Sequence, residues 1–503
     1  MRDKVKTLTA ITFSVIAATL LLSHSELLYE LQNSSIFIKG NTFMSTTVTS
    51  MNGLWTWIGC YLTQFFYIPW LGTTLLIAIW ILTFYVTSDM FRLHGIYSAI
   101  AIIPVAAQLL SIYFMGYWIY YCKQPGFAFA QAVSIFVTVT IAHVATTAVM
   151  AFAKPKQNET VINASTGVIT VILAALILRP VFKIYSLETP DKRIYHEMKM
   201  YKAMDECRWD DVIGEMKDVD EPTNLMVLYK NIALMHTGRM TEMFTTNNCG
   251  VVPQTPDSLN IHISQLGASM IYYQFGQINN AYRWAIENSV EYGMSVKELK
   301  MLIRCSILNQ EFDVARKYIT LLKATTFHRT WAEQQESHIR HSSNLIKSQE
   351  FQNIAPLLNE DVNLLDIDNG LCEKWLLEHF SDLAYPTTPK LEEVIMTLSL
   401  WYEDDYAFCL HFYNYVKRHQ GQAIPHLFQE GAILLCTQES SPVELNDFPF
   451  DNIITERYNS FVRDYNELTK QGVNDEEKGK RMRALYGDTY WWYYYFYTDF
   501  KIY

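Results

Sequence analysis

Five stretches within the first 185 residues are apolar for close to the roughly 20 residues that a bilayer core demands, and no other feature limits the fold so strongly. In hydrocarbon a segment must satisfy its own backbone hydrogen bonds, so a run of this length is expected as an α-helix. The runs are Leu8 to Leu22, Trp70 to Ser88, Ile96 to Tyr121, Phe127 to Phe152 and Asn163 to Phe182. Arg2, Lys4 and Lys6 precede the first run as in a secretory signal, but Ser23, His24, Ser25 and Glu26 offer no small-residue cleavage pattern. That predicts an uncleaved span. Leu54 to Tyr67, rich in Trp and Tyr and ending before Pro69, is too short to cross and predicts a helix lying in the interface.

With the amino terminus inside, five spans place residues 185 to 503 outside the cytoplasm. Arg92, Lys154 and Lys156 then fall in cytoplasmic turns, as the positive-inside rule prefers, whereas Arg179, Lys183, Lys192 and Arg193 oppose it at the last span. Six spans, with Val48 to Tyr67 crossing, would return the large region to the cytoplasm. Length and Pro69 favour five. Charge divides at the same place: up to Leu187 there are ten Lys or Arg and five acids, and beyond it thirty and forty-six. An acidic region without a clustered basic face excludes a nucleic-acid partner and leaves membrane lipid and protein as the expected ones.

The acidic region carries an internal repeat. Tyr273, Gly276, Ile278 and Ala281 fit the tetratricopeptide pattern, and Ile278 pairs with Phe312 as Ala281 pairs with Ala315, each 34 residues apart. Trp209, Met240, Phe351 and Tyr406 extend the phase as expected helix starts. The fold class is therefore all-α: a multi-span helical membrane domain over residues 1–185, with an interfacial helix at 54–67, followed by a tetratricopeptide-like α-solenoid over residues 190–440. A last helix and an aromatic tail occupy residues 450–503. Tyr490 to Tyr497 is aromatic throughout and is expected to cap the solenoid, lie at a membrane interface or meet a partner.

No nucleophile elbow, phosphate loop or dinucleotide fingerprint is present, so the expectation is no cofactor and no metal. Glu26 and Glu30, four apart beyond the first span, are the weak catalytic candidates; a solvated helix end is the plainer reading. His143 lies deep in an apolar run. His338 and His341, near Glu333 and Glu336, form the nearest approach to a ligand cluster, and Glu403, Asp404 and Asp405 are expected to face water. No two of the eight cysteines form a CxxC pair, and most are expected to be buried, with a disulfide left open.

Leu62 to Gly72 (LTQFFYIPWLG), Asn231 to Met240, Ala315 to Ala332 and Gly487 to Phe496 resemble an uncharacterised family of Gram-negative inner-membrane proteins with an amino-terminal membrane region and a helical repeat region. The resemblance implies no activity. A looser one, of architecture alone, is to membrane glycosyltransferases that use a polyprenyl-linked sugar. The expectation is a non-enzymatic, membrane-anchored scaffold of the bacterial envelope whose repeat surface binds a protein. The alternative is a polyprenyl-linked glycan transferase or polymerase with Glu26 or Glu30 as its acid.

Overall fold

The computed structural model describes residues 2–49, 52–93, 95–114, 126–152, 192–244, 263–358, 386–438, 441–443, 445 and 448–496. Regular structure among them is entirely helical. The first stretch holds α1 (Arg2–Ser23), α2 (Ser25–Asn33), α3 (Asn41–Val48), α4 (Gly53–Thr63), α5 (Pro69–Met90), α6 (Ile103–Phe114) and α7 (Phe127–Phe152). Then come α8 (Arg193–Asp205), α9 (Trp209–Glu215), α10 (Asn224–Thr237), α11 (Ile263–Gln274), α12 (Ile278–Tyr292), α13 (Val296–Leu308), α14 (Phe312–Lys323), α15 (Arg329–Arg340), α16 (Ser342–Ile346) and α17 (Gln349–Ile354). The last are α18 (Pro389–Tyr402), α19 (Asp405–Arg418), α20 (His426–Leu435), α21 (Asn452–Lys470), α22 (Asp475–Tyr486) and α23 (Tyr490–Phe496). They form two compact units, each discontinuous in sequence: Met1–Met198 with Ala285–Arg340, and Lys199–Trp284 with His341–Tyr503.

In the first unit, Lys4–Ser23, Pro69–Met90 and Ala128–Ala148 are long and apolar enough to cross a membrane. The run from Ile96 is not one helix: a 3-10 turn, Gly95–Ile102, precedes α6. Pro104 explains the break, because proline lacks the N–H needed mid-helix but suits a first turn. The run at Asn163 to Phe182 lies outside the described residues. Lys6 Nζ meets Asp89 Oδ1 at 2.6 Å, and the rings of Phe13 and Trp80 lie 6.0 Å apart, so α1 and α5 are antiparallel. Phe129 packs on Phe66 at 5.1 Å, and Met90 on Val139 further along, so α7 runs parallel to α5. Gln108 accepts from Trp80 Nε1 at 2.9 Å and Gln131 from Ser111 at 3.1 Å, which ties α6 to its neighbours by polar pairs where apolar matching gives no selectivity. Gly59 permits α4 to touch α7, since a Cβ there would lie 2.6 Å from the Gly126 carbonyl oxygen.

One turn ends a helix at seven places among the described residues. Arg92, Cys207, Gly238, Gly276, Gln310, Glu403 and Gly472 all have left-handed φ, between 51° and 77°. Each is followed by a residue whose N–H reaches back five residues, as Gln277 does to Tyr272 at 2.9 Å and Glu311 to Ser306 at 2.8 Å. This is the Schellman termination, which satisfies the last carbonyls of one helix while reversing the chain. The expected repeat positions come directly after it. Ile278 opens α12 and Phe312 opens α14, and Ala281 and Ala315 are wholly buried where the helices touch. Trp209 opens α9, but Met240 opens only a 3-10 turn, Phe351 is the third residue of α17, and Tyr406 is the second of α19.

In the second unit the aromatic tail is core. Tyr490, Trp491, Trp492 and Tyr493 are buried, and α23 is held by Glu430, whose carboxylate accepts from Tyr490 N at 2.9 Å and whose carbonyl accepts from Trp491 Nε1 at 2.8 Å. A disulfide between Cys409 and Cys436, with Cα atoms 5.5 Å apart, joins α19 to the end of α20. The Glu403–Asp405 run does not simply face water. Glu403 occupies the left-handed turn, Asp404 caps α19 through Ala407 N at 2.9 Å, and Asp405 accepts from Tyr494 Oη at 3.4 Å.

Stability measurements at two positions test this packing. A side chain at Gly276 would meet both a φ of +77° and the Leu357 carbonyl oxygen 2.7 Å away, so Gly276→Ala should destabilise by about 1–3 kcal/mol, whereas Gln310→Gly should stabilise by up to about 1 kcal/mol; denaturant titration measures both. Burial raises the Glu430 carboxyl from 4.5 to about 7, against the smaller opposing pull of the Tyr490 N–H. The folded protein therefore retains a proton that the unfolded chain has released, and this contribution is lost as pH rises from 4.5 through about 7. Glu430→Gln should flatten that dependence and raise stability at pH 8 by on the order of 1–3 kcal/mol, read from melting curves across pH.

Candidate functional site

The first unit contains a polar seam where α2 meets α13. The chain breaks between α1 and α2 at His24, and α2 then buries Glu26, Leu27, Glu30 and Leu31 on one side, with exposures of only 7% and 3% for the two acids. The solvated helix end expected for this pair is therefore corrected: the leucines carry the acids into the interior with them. Opposite lies α13, begun by an N-cap in which Ser295 Oγ accepts from Glu298 N at 3.2 Å. Lys297 on its first turn places Nζ 3.7 Å from Glu30 Oε1, and Ser34 Oγ donates to the same oxygen at 2.8 Å. Glu26 Oε1 lies 3.4 Å from His24 Nδ1, whose ring stacks on Tyr195 at 4.5 Å.

The seam extends beyond the acids. Val296 N donates to the Ser35 carbonyl at 3.2 Å, and Lys39 N to that of Ala324 at 3.2 Å. Gln64 Oε1 accepts from Thr326 N at 3.2 Å, and the Gln32 amide lies 2.5 Å from His328 Nε2. Tyr67 stacks on Phe327 at 5.3 Å and meets His328 edge-on at 5.2 Å. Along α13, Lys300 and Arg304 continue the face begun by Lys297 and sit over the Trp331 ring, each 5.5 Å from its centroid. Residues distant in sequence are thus bound through side chains and backbone together.

Chemically, the arrangement is built to hold. Oε1 of the buried Glu30 carboxylate is committed to an ammonium and a hydroxyl, and a buried ion pair must be compensated this way to persist. Glu26 and Glu30 are brought together as expected, but as members of this seam. Sequence reasoning missed Lys297, Gln32, Gln64 and His328; the spacing of Lys297, Lys300 and Arg304 was the one available signal, and it normally denotes a solvated face. His143 lies half-buried on α7, in contact with no ligand set. His338 is buried beside Gln335 Oε1 at 3.2 Å, Glu336 pairs with Lys323 at 2.9 Å, and Glu333 with Arg329 at 2.9 Å. Among the described residues no group of three His, Cys, Asp or Glu side chains is placed to hold a metal.

Lys297→Ala leaves Glu30 buried without its cation and should destabilise the first unit by about 3 kcal/mol or more, whereas Lys297→Met with Glu30→Gln should recover most of the loss. Thermal unfolding of the purified variants in lipid nanodiscs measures both.

No curated protein and no solved structure matches the chain. A family of unknown function, DUF6057, matches it over residues 3–124 and 110–497. Those two segments take in nearly every residue described above, from α1 to the aromatic tail, and the chain belongs to that family.

Proposed function

We propose that the chain is a multi-pass protein of the bacterial inner membrane that holds a tetratricopeptide-like helical region on the outer face, where its surface binds another protein without catalysis. The seam between α2 and α13 carries this reading, because a scaffold must be coupled to its anchor. Lipid contact is supported by large apolar side chains left exposed on long helices: Leu8, Ile11 and Val15 on α1, Leu82 on α5, and Ile141 and Val144 on α7.

Helix polarity favours the outer side. Lys6 pairs with Asp89 at the beginning of α1 and the end of α5, and Arg92 lies just beyond α5. The opposite ends of those helices, at His24 and Tyr67, meet Tyr195 and His328. Basic residues inside then put the seam outside. The five crossings expected from the sequence would return the chain to that side by Tyr195, and the Cys409–Cys436 disulfide suits an oxidising compartment. Recurring helical hairpins are a common binding surface. A glycan transferase would need an accessible acid at Glu26 or Glu30; both are buried, and Glu30 is committed to Lys297.

Alkaline phosphatase fused after Tyr503 should be active and a cytoplasm-only fluorescent reporter dark; the reverse result refutes the outward placement. A photo-crosslinking residue at Val290, Tyr406 or Ile453, which are 82%, 63% and 68% exposed, should yield a discrete protein adduct in living cells. Absence of a protein adduct from all three positions would count against the scaffold role.

A further inference from the structure

A polar cleft of about 500 Å³ opens in the second unit between the end of α19, the turn into α20 and the segment Phe448–Asp451. Gln429 spans its walls: Nε2 donates to the Ile424 carbonyl at 2.9 Å, and Oε1 accepts from Asp451 N at 2.9 Å. With both ends of the amide committed, Gln429 shapes the cleft and leaves recognition to others.

The other polar groups are oriented by their partners. His419 Nε2 lies 3.0 Å from Glu392 Oε2, and its Nδ1 lies 3.1 Å from Gln422 Oε1. The hydrogen bond to Glu392 raises the imidazole's pKa. Gln422 places its oxygen toward His419 and its NH2 group in the cleft wall. Asp451 uses Oδ1 to accept from Ile453 N at 2.9 Å, while Oδ2 stands 3.8 Å from His426 Nε2. The Phe448 ring supplies a flat apolar face, braced edge-on by Phe412 at 5.3 Å and Phe450 at 4.6 Å.

The chemistry narrows the ligand. Among the described residues no Lys or Arg lines the cleft, and one wall carries Asp451, so an anion is disfavoured. One carboxylate without further acids does not make a cation site, and His419 is already held by Glu392. A purely apolar ligand would strand the amide, imidazole and carboxylate. A neutral molecule rich in hydroxyls, which both donate and accept, with one apolar face for an aromatic ring, satisfies all of them. The volume lies within the roughly 300–1,000 Å³ of small-molecule sites.

We propose that this cleft binds a neutral saccharide, its hydroxyl groups on Gln422, His426 and Asp451 and one ring face on Phe448. The site is independent of membrane orientation and of the scaffold role.

The test titrates the full chain, in lipid nanodiscs to avoid sugar-based detergents, with maltose, cellobiose and the disaccharide of N-acetylglucosamine, and with inorganic phosphate and glycerol as controls. Calorimetry should show saturable binding of at least one disaccharide with a Kd in the millimolar range or tighter. Gln422→Ala and His426→Ala, at exposed positions, should each weaken it at least tenfold with an unchanged melting temperature. Tighter binding of the longer oligomer of the same sugar would identify a glycan chain as the source, and equal binding of the monosaccharide a free sugar. No saturation by any of the three disaccharides at tens of millimolar, binding of phosphate in their place, or affinity unaltered in both variants overturns the proposal.

Discussion

The pairing of Glu30 with Lys297 is the interaction on which the first unit depends. Each charge alone would be costly at side chains only a few per cent exposed, and α2 carries no basic residue of its own to compensate Glu30. The pair is satisfied only if α2, beside the first apolar helix, and α13, more than 250 residues later, are held at a fixed register. Backbone bonds from Val296 to Ser35 and from Lys39 to Ala324 belong to that same register. A well-packed apolar contact at the same place could match the stability. The ionic one adds selectivity, since a slip along either helix leaves a buried charge without its partner.

Away from the seam, a second economy of design recurs. The same Schellman turn closes α5, α8, α10, α11, α13, α18 and α21, yet among them glycine fills its left-handed position at only Gly238, Gly276 and Gly472. Cys207, Gln310 and Glu403 adopt that conformation against a steric cost of roughly 1 kcal/mol each. What holds them is the burial on either side, such as Ala315 beyond Gln310 and Phe408 beyond Glu403. Left-handed helix ends therefore recur whether or not glycine is there to fill them.

Helical content, the three long apolar helices and the hairpin at Tyr273 to Ala281 were legible because each rests on local periodicity, which a sequence displays directly. The 3-10 break before α6 has a local cause too, in Pro104, though a hydropathy average conceals it. The candidate site was only half legible: Glu26 and Glu30 stood out by their scarcity among apolar residues, but their burial did not, because it comes from α13. Lys297 is indistinguishable in sequence from any surface lysine. The aromatic tail likewise announced that it must be covered, and left open by what; Glu430 and Leu400, 60 and 90 residues before Tyr490, decide it.

By itself, then, the sequence determined the helical class, the length and apolarity of the long amino-terminal helices and the acidic character of residues 188–503. These properties are set within a turn or two of chain by backbone hydrogen bonding and side-chain spacing. Tertiary structure decided which acids are buried, which cysteines pair, that residues 285–340 join the amino-terminal helices in one compact unit, and where a polar cleft opens. Each of those depends on groups far apart in the chain meeting within a few ångströms, and no local pattern encodes such a meeting.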